Sequence, residues 1–216
     1  MRRALARVAF LAVVLTLLTP GCRSAYYATY EKFGVYKRDL LKKRVTQARD
    51  DQKEAQQQFK DALTRLKELT KFDGGELERA YNSLKGEYDD CVSQADTVRK
   101  RVRDVETVAE DLFAEWEKEI GEIGTPSLRD SSRRQLTATR QRYDDLHRAL
   151  KSAEQSMTPV LSQFHDYVLF LKHNLNAQAI ASLKGETSNI QQEITRLVEQ
   201  MNASIARADE FIKTLK

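Results

Sequence analysis

One apolar series constrains this chain more than anything else in it. Leu77, Tyr81, Leu84, Tyr88, Cys91, Ala95, Val98, Val102, Val105, Ala109, Leu112 and Trp116 follow one another at alternating spacings of four and three residues, without a break. That period lays a stripe along one side of an α-helix. A strand would instead alternate every second residue. A helix carrying the whole series is about 65 Å long, at ~1.5 Å per residue. It needs partners of similar length to cover its stripe.

Three other stretches carry the same pattern. Leu41, Ala48, Ala55, Ala62 and Leu69 stand seven apart, with Val45, Gln52, Phe59 and Leu66 between them. Gln52 is the only polar member of that seam. The seam stops before Phe72-Asp73-Gly74-Gly75, where glycine can take the left-handed conformation that ends helices. The long seam stops at Gly121 to Pro126, and Ser127 is the expected cap of the next helix. The third seam uses Leu136, Thr139, Tyr143, Leu146, Leu150, Ala153, Met157, Val160, Phe164, Tyr167 and Leu171. Pro159 lies inside it, off the stripe, and predicts a kink near residues 155–159. A last break is expected between Asn174 and Glu186, at Asn174-Leu175-Asn176 or at Lys184-Gly185-Glu186. The final seam is Thr187, Ile190, Ile194, Leu197, Met201, Ser204, Ala208, Phe211 and Leu215.

No useful stretch alternates with period two, so no sheet is expected. Short turns bring consecutive helices side by side and antiparallel. The expected fold is all-α: an elongated antiparallel bundle of three to four long helices with coiled-coil-like heptad packing. The chain holds only 8 Gly and 3 Pro, which agrees with few turns.

The N-terminus reads differently. Arg2 and Arg3 precede an apolar run at residues 8–18, followed by Thr19-Pro20-Gly21-Cys22. A basic start, a short apolar run and a small residue before the break make a secretory signal. The run is about 11 residues, short of the roughly 20 needed to span a bilayer. A cysteine at the break makes it a bacterial lipoprotein signal, with Cys22 the lipidated residue and Gly21 the last residue removed. Thr19 stands where leucine is usual in this pattern. The expected organisation is a signal peptide at 1–21, a lipid-anchored aromatic tether at 22–36 and a helical bundle domain at 37–216. Arg2, Arg3 and Arg7 leave with the signal and take three of the four net positive charges with them. No basic field remains to argue for nucleic acid. With Cys22 lipidated, Cys91 has no partner for an intrachain disulfide.

Catalytic patterns are not found. No Gly-x-x-x-x-Gly-Lys-Ser/Thr occurs, so no phosphate cradle of that type and no nucleotide are expected. His147, His165 and His173 lack the four-residue spacing of a helical zinc pair, and no metal or cofactor is expected. Asp50-Asp51, Asp89-Asp90 and Asp144-Asp145 are neighbours that point about 100° apart on a helix, so they make no acid–base dyad. Cys91 sits on the apolar stripe and reads as a small core residue. The protein is not expected to be an enzyme.

Two segments are candidates for contact. Tyr26, Tyr27, Tyr30, Lys37 and Arg38 combine aromatic rings with basic groups, the composition that favours a water–lipid boundary with anionic headgroups. Alternatively, Tyr26, Tyr30 and Phe33 simply begin the first helix seam at helical spacing. Residues 168–171 are apolar all round, which a simple bundle helix is not. They are either buried by a further element or form a partner surface, whose candidates are Phe170, Lys172, His173 and Asn176.

These residues also carry a resemblance. The segments Tyr26-Tyr27-Ala28-Thr29-Tyr30-Glu31-Lys32-Phe33-Gly34, Lys37-Arg38-Asp39, Gly74-Gly75-Glu76-Leu77 and Leu112-Phe113-Ala114-Glu115-Trp116 are similar to the bacterial domain of unknown function 2959. The longest likeness runs over residues 168–186. The resemblance implies an exported lipoprotein of a Gram-negative envelope, and no activity, substrate or catalytic residue. It also implies a destination. Arg23, not aspartate, follows Cys22, which in enteric-type sorting points to the outer membrane, facing the periplasm.

The functional expectation is a non-catalytic scaffold or interaction module, anchored to the membrane through its N-terminal lipid. It would meet a protein partner or a second copy through its helices. The alternative is a membrane-surface-binding, self-associating coiled-coil protein linked to envelope stress.

Overall fold

The computed structural model describes residues 27, 36–71 and 77–215. The chain divides into two compact units, Met1–Leu40 and Leu41–Lys216. The described residues form four helices and no strand: α1 (Lys37–Leu69), α2 (Leu77–Glu122), α3 (Pro126–His173) and α4 (Ala177–Thr214). The three-helix arrangement is therefore set aside. Cys22, Tyr26, Tyr30 and the Phe72-to-Gly75 break lie outside the described residues.

Side chains that bridge the helices fix their order and direction. Asp51 of α1 pairs with Arg101 of α2 at 2.5 Å and Gln58 bonds Glu87 at 3.1 Å. Going up α1 means going down α2. His147 of α3 meets Glu106 of α2 at 2.7 Å, and Arg140 meets Glu117 at 2.9 Å. Ser152 of α3 bonds Gln200 of α4 at 2.8 Å, and Tyr167 reaches the Glu186 carbonyl at 3.4 Å. Arg49 of α1 pairs with Asp209 of α4 at 2.8 Å, and Gln56 bonds Asn202 at 2.9 Å. Each helix is thus antiparallel to the next, and α4 closes back on α1. Most of these groups are partly exposed, where a pair contributes about 0–1 kcal/mol, so they set register more than stability.

Stability comes from the stripes. Phe59, Leu66, Leu84, Leu146, Leu150, Met157, Phe164, Ile190 and Phe211 are among the largest fully buried side chains. Each contributes on the order of 1.5–3 kcal/mol by leaving water. Val108, Phe113, Ile120, Leu161 and Val168 are buried as well, beside the four–three positions. That wider stripe suits a helix with two neighbours rather than one, as a four-membered ring requires.

The helix ends refine the sequence reading. α3 is entered at Thr125, not Ser127, with Pro126 in its first turn. Proline there has no N–H to leave unpaired, and its fixed φ already matches the helix. α3 then runs as one helix across Pro159. The last turn is Asn174-Leu175-Asn176, and Gly185 lies inside α4 with open space around it. Ala179, Ile180 and Leu183 join the core ahead of Thr187.

Candidate functional site

The turn between α3 and α4 is built by its own residues. The Asn174 amide N–H donates to the Leu171 carbonyl at 3.2 Å, and its side-chain nitrogen donates to the Phe170 carbonyl at 2.9 Å. These bonds occupy carbonyls that every helix C-terminus leaves free. The Asn176 side chain accepts from the Ala179 N–H at 2.9 Å and caps α4. Asn176, named as a contact candidate, is exposed and also serves as a helix cap.

The apolar run at 168–171 is split in two. Val168 and Leu171 are buried against the bundle, 6% and 0% exposed, while Leu169 and Phe170 stand 46% and 39% exposed. Lys172 and His173 are exposed beside them. The structure thus gathers Leu169, Phe170, Lys172 and His173 on the outside of one helix end. Leu169 was missed in the sequence. The signal was there, because Phe164, Tyr167 and Leu171 already occupy the stripe and leave positions 169 and 170 facing outward.

Several of the groups able to do chemistry are engaged in packing. Cys91 is fully buried, and burial pushes its thiol up to about 12, so it stays protonated near neutral pH. His147 stacks on Tyr143 with ring centroids 5.8 Å apart while it holds Glu106. Tyr143 also meets Phe113 edge-on at 5.4 Å and Phe211 at 6.2 Å, and burial raises its hydroxyl above the ordinary range. His165 lies against Tyr88 at 6.0 Å. Among the described residues, no three His, Cys, Asp or Glu side chains gather as metal ligands would. No described helix is long and apolar enough to cross a membrane.

Of the tether candidates, Tyr27, Lys37 and Arg38 are described. Tyr27 is 7% exposed and the Lys37 ammonium lies 4.7 Å from its ring centre, a cation–π geometry. Arg38 is exposed, and Tyr36 is 61% exposed.

A family model described as "Protein of unknown function (DUF2959)" matches residues 26–215. The chain belongs to that family. No curated protein and no solved structure matches it. Within this DUF2959 chain, the feature least visible in the sequence is a pair of unpartnered polar side chains inside the bundle. Gln52 and Ser204 are both fully buried, and the Gln52 amide nitrogen and oxygen and the Ser204 hydroxyl meet no hydrogen-bonding protein group. The heptad reading flagged Gln52 as polar. It gave no sign that Ser204 is left unpartnered as well.

Proposed function

We propose that this DUF2959 chain is a non-catalytic, lipid-anchored protein of the cell envelope. Cys22 carries the lipid, the bundle faces the periplasm from the outer membrane, and the α3–α4 turn engages a protein partner. The observation that carries the contact reading is the exposure of Leu169 and Phe170 on a turn whose polar groups are satisfied internally. Apolar side chains are costly in water, and paired at one helix end they are the start of an interface core. Lys172 and His173 supply the polar rim beside them. The anchoring reading rests on the signal ending at Cys22 and on Arg23 after it.

The test is co-purification from detergent-extracted envelopes, comparing the wild type with Leu169→Ser/Phe170→Ser at matched abundance. Loss of a specific envelope protein with helicity unchanged supports the reading. An identical set of co-purifying proteins contradicts it.

The alternative is that the segment before the bundle lies on anionic lipid. The exposed Tyr36 ring and the Arg38 guanidinium favour it. Salt-sensitive binding of an unlipidated Cys22→Ala chain to anionic vesicles supports that alternative. Equal binding to neutral and anionic vesicles removes it.

A further inference from the structure

We propose that Gln52 and Ser204 form an internal hydration site, holding a water molecule inside the bundle, and that this layer fixes the register of α1 against α4. Gln52 lies on α1 between Arg49 and Gln56, and Ser204 lies on α4 between Asp209 and Asn202. Arg49 pairs with Asp209 at 2.8 Å, and the Gln56 side-chain nitrogen donates to Asn202 at 2.9 Å and to the Val198 carbonyl at 3.3 Å. These contacts bracket the two residues from either side, so they stand within one helical turn of the same level on facing antiparallel helices. Both are 0% exposed.

The chemistry of the layer asks for a small polar ligand. It presents an amide donor, an amide acceptor and a hydroxyl, none with a protein partner. Buried polar groups left unpaired are strongly disfavoured, and water satisfies them when two to four partners converge. The neighbouring stripe positions are small: Ala48 and Ala55 flank Gln52, and Ala208 follows Ser204 one turn on. Alanines leave volume where leucines would fill it.

The register consequence follows from the heptads. A slip of seven residues places Gln52 opposite apolar Leu197 or Phe211, and Ser204 opposite Val45 or Phe59. The apolar residues tolerate that slip, since stripe still meets stripe. The polar pair does not, because each member then faces hydrocarbon and the shared water loses partners. A single buried polar position selects register in coiled coils by the same logic, at a cost in stability.

Two measurements on the full chain test this. A crystal structure at a resolution that shows ordered water should place one within hydrogen-bonding distance of the Gln52 amide and the Ser204 hydroxyl. A Gln52 amide bonded directly to Ser204 or to backbone, with no water, overturns the hydration site. This measurement needs no variant. The second uses oxidative cross-linking of Gln56→Cys/Asn202→Cys, which reports the observed register, and Gln56→Cys/Thr195→Cys, which reports the slipped one. With Gln52 and Ser204 present, only the first pair closes. In the Gln52→Leu/Ser204→Ala background the second pair closes as well, while the melting temperature rises by about 4 °C. A double variant that cross-links only in the observed register overturns the register role.

Discussion

Among the described residues, the two short turns, at 123–125 and 174–176, are held in opposite ways. At residues 123–125, side chains reach across from both helices. The Trp116 indole N–H donates to Ser132 at 2.9 Å, and the Arg129 guanidinium donates to the Ile123 carbonyl at 2.9 Å. At residues 174–176 the bonds come from Asn174 and Asn176 themselves. A turn stapled by its neighbours uses its polar surroundings to hold shape. A turn that caps itself leaves the surrounding side chains unengaged, and there Leu169 and Phe170 stand out from the helix end. Leu128 is also exposed near the first turn, as a single residue. Isolated apolar side chains on a surface are ordinary, whereas adjacent ones form a patch.

Substitutions can break this contrast. The largest effect is expected inside the second turn's anchor. Leu171→Ala removes a fully buried side chain and should cost about 2–4 kcal/mol in denaturant unfolding. A cost below about 1 kcal/mol would mean that the helix end is not packed as described. Asn176→Ala should cost about 1 kcal/mol through the lost cap, and Asn176→Gly clearly less. Equal losses from both would remove the capping role. At the first turn, Trp116→Phe keeps a six-membered aromatic ring but loses the pyrrole half and its bond to Ser132, and the lost bond alone costs roughly 0.5–1.5 kcal/mol. Ser132→Ala should add little in that background, because the partner is already gone. A full additional loss would show that the two do not act together. Phe170→Ser should move stability least, within about 0.5 kcal/mol, although it lies next to Leu171. A large loss there would make Phe170 part of the core and withdraw it as a contact residue.

Much of the fold was legible because a four–three spacing has one physical meaning over so many residues. The α2 series is the clearest case: Leu84, Cys91, Ala95, Val98, Val102, Val105 and Ala109 are all fully buried. The helix ends were less legible, because several local signals compete. Ser127 is a good cap by composition, but Pro126 prefers the first helical turn and moves the start to Thr125. Gly185 looked like a break. An exposed glycine inside a helix costs only about 1 kcal/mol, and the packing of Ile180, Leu183 and Ile190 around it outweighs that. Contacts between helices were not legible at all. That His147 meets Glu106, or that Arg49 pairs with Asp209, depends on the offset between helices, which no single seam encodes. The contact candidates were half legible. The excess of apolar residues at 168–171 was visible, while the two that face outward, and the capping role of Asn176, required the turn.

The anchor is the most direct place to test the functional account, since the partner reading, the destination and the membrane-surface alternative all depend on where the chain is held. The decisive measurement is the intact mass of the detergent-extracted native protein beside a Cys22→Ala variant. The account predicts a mature chain beginning at Cys22 and carrying acyl mass, absent from the variant. A native chain without acyl mass, or one retaining residues 1–21, would contradict it.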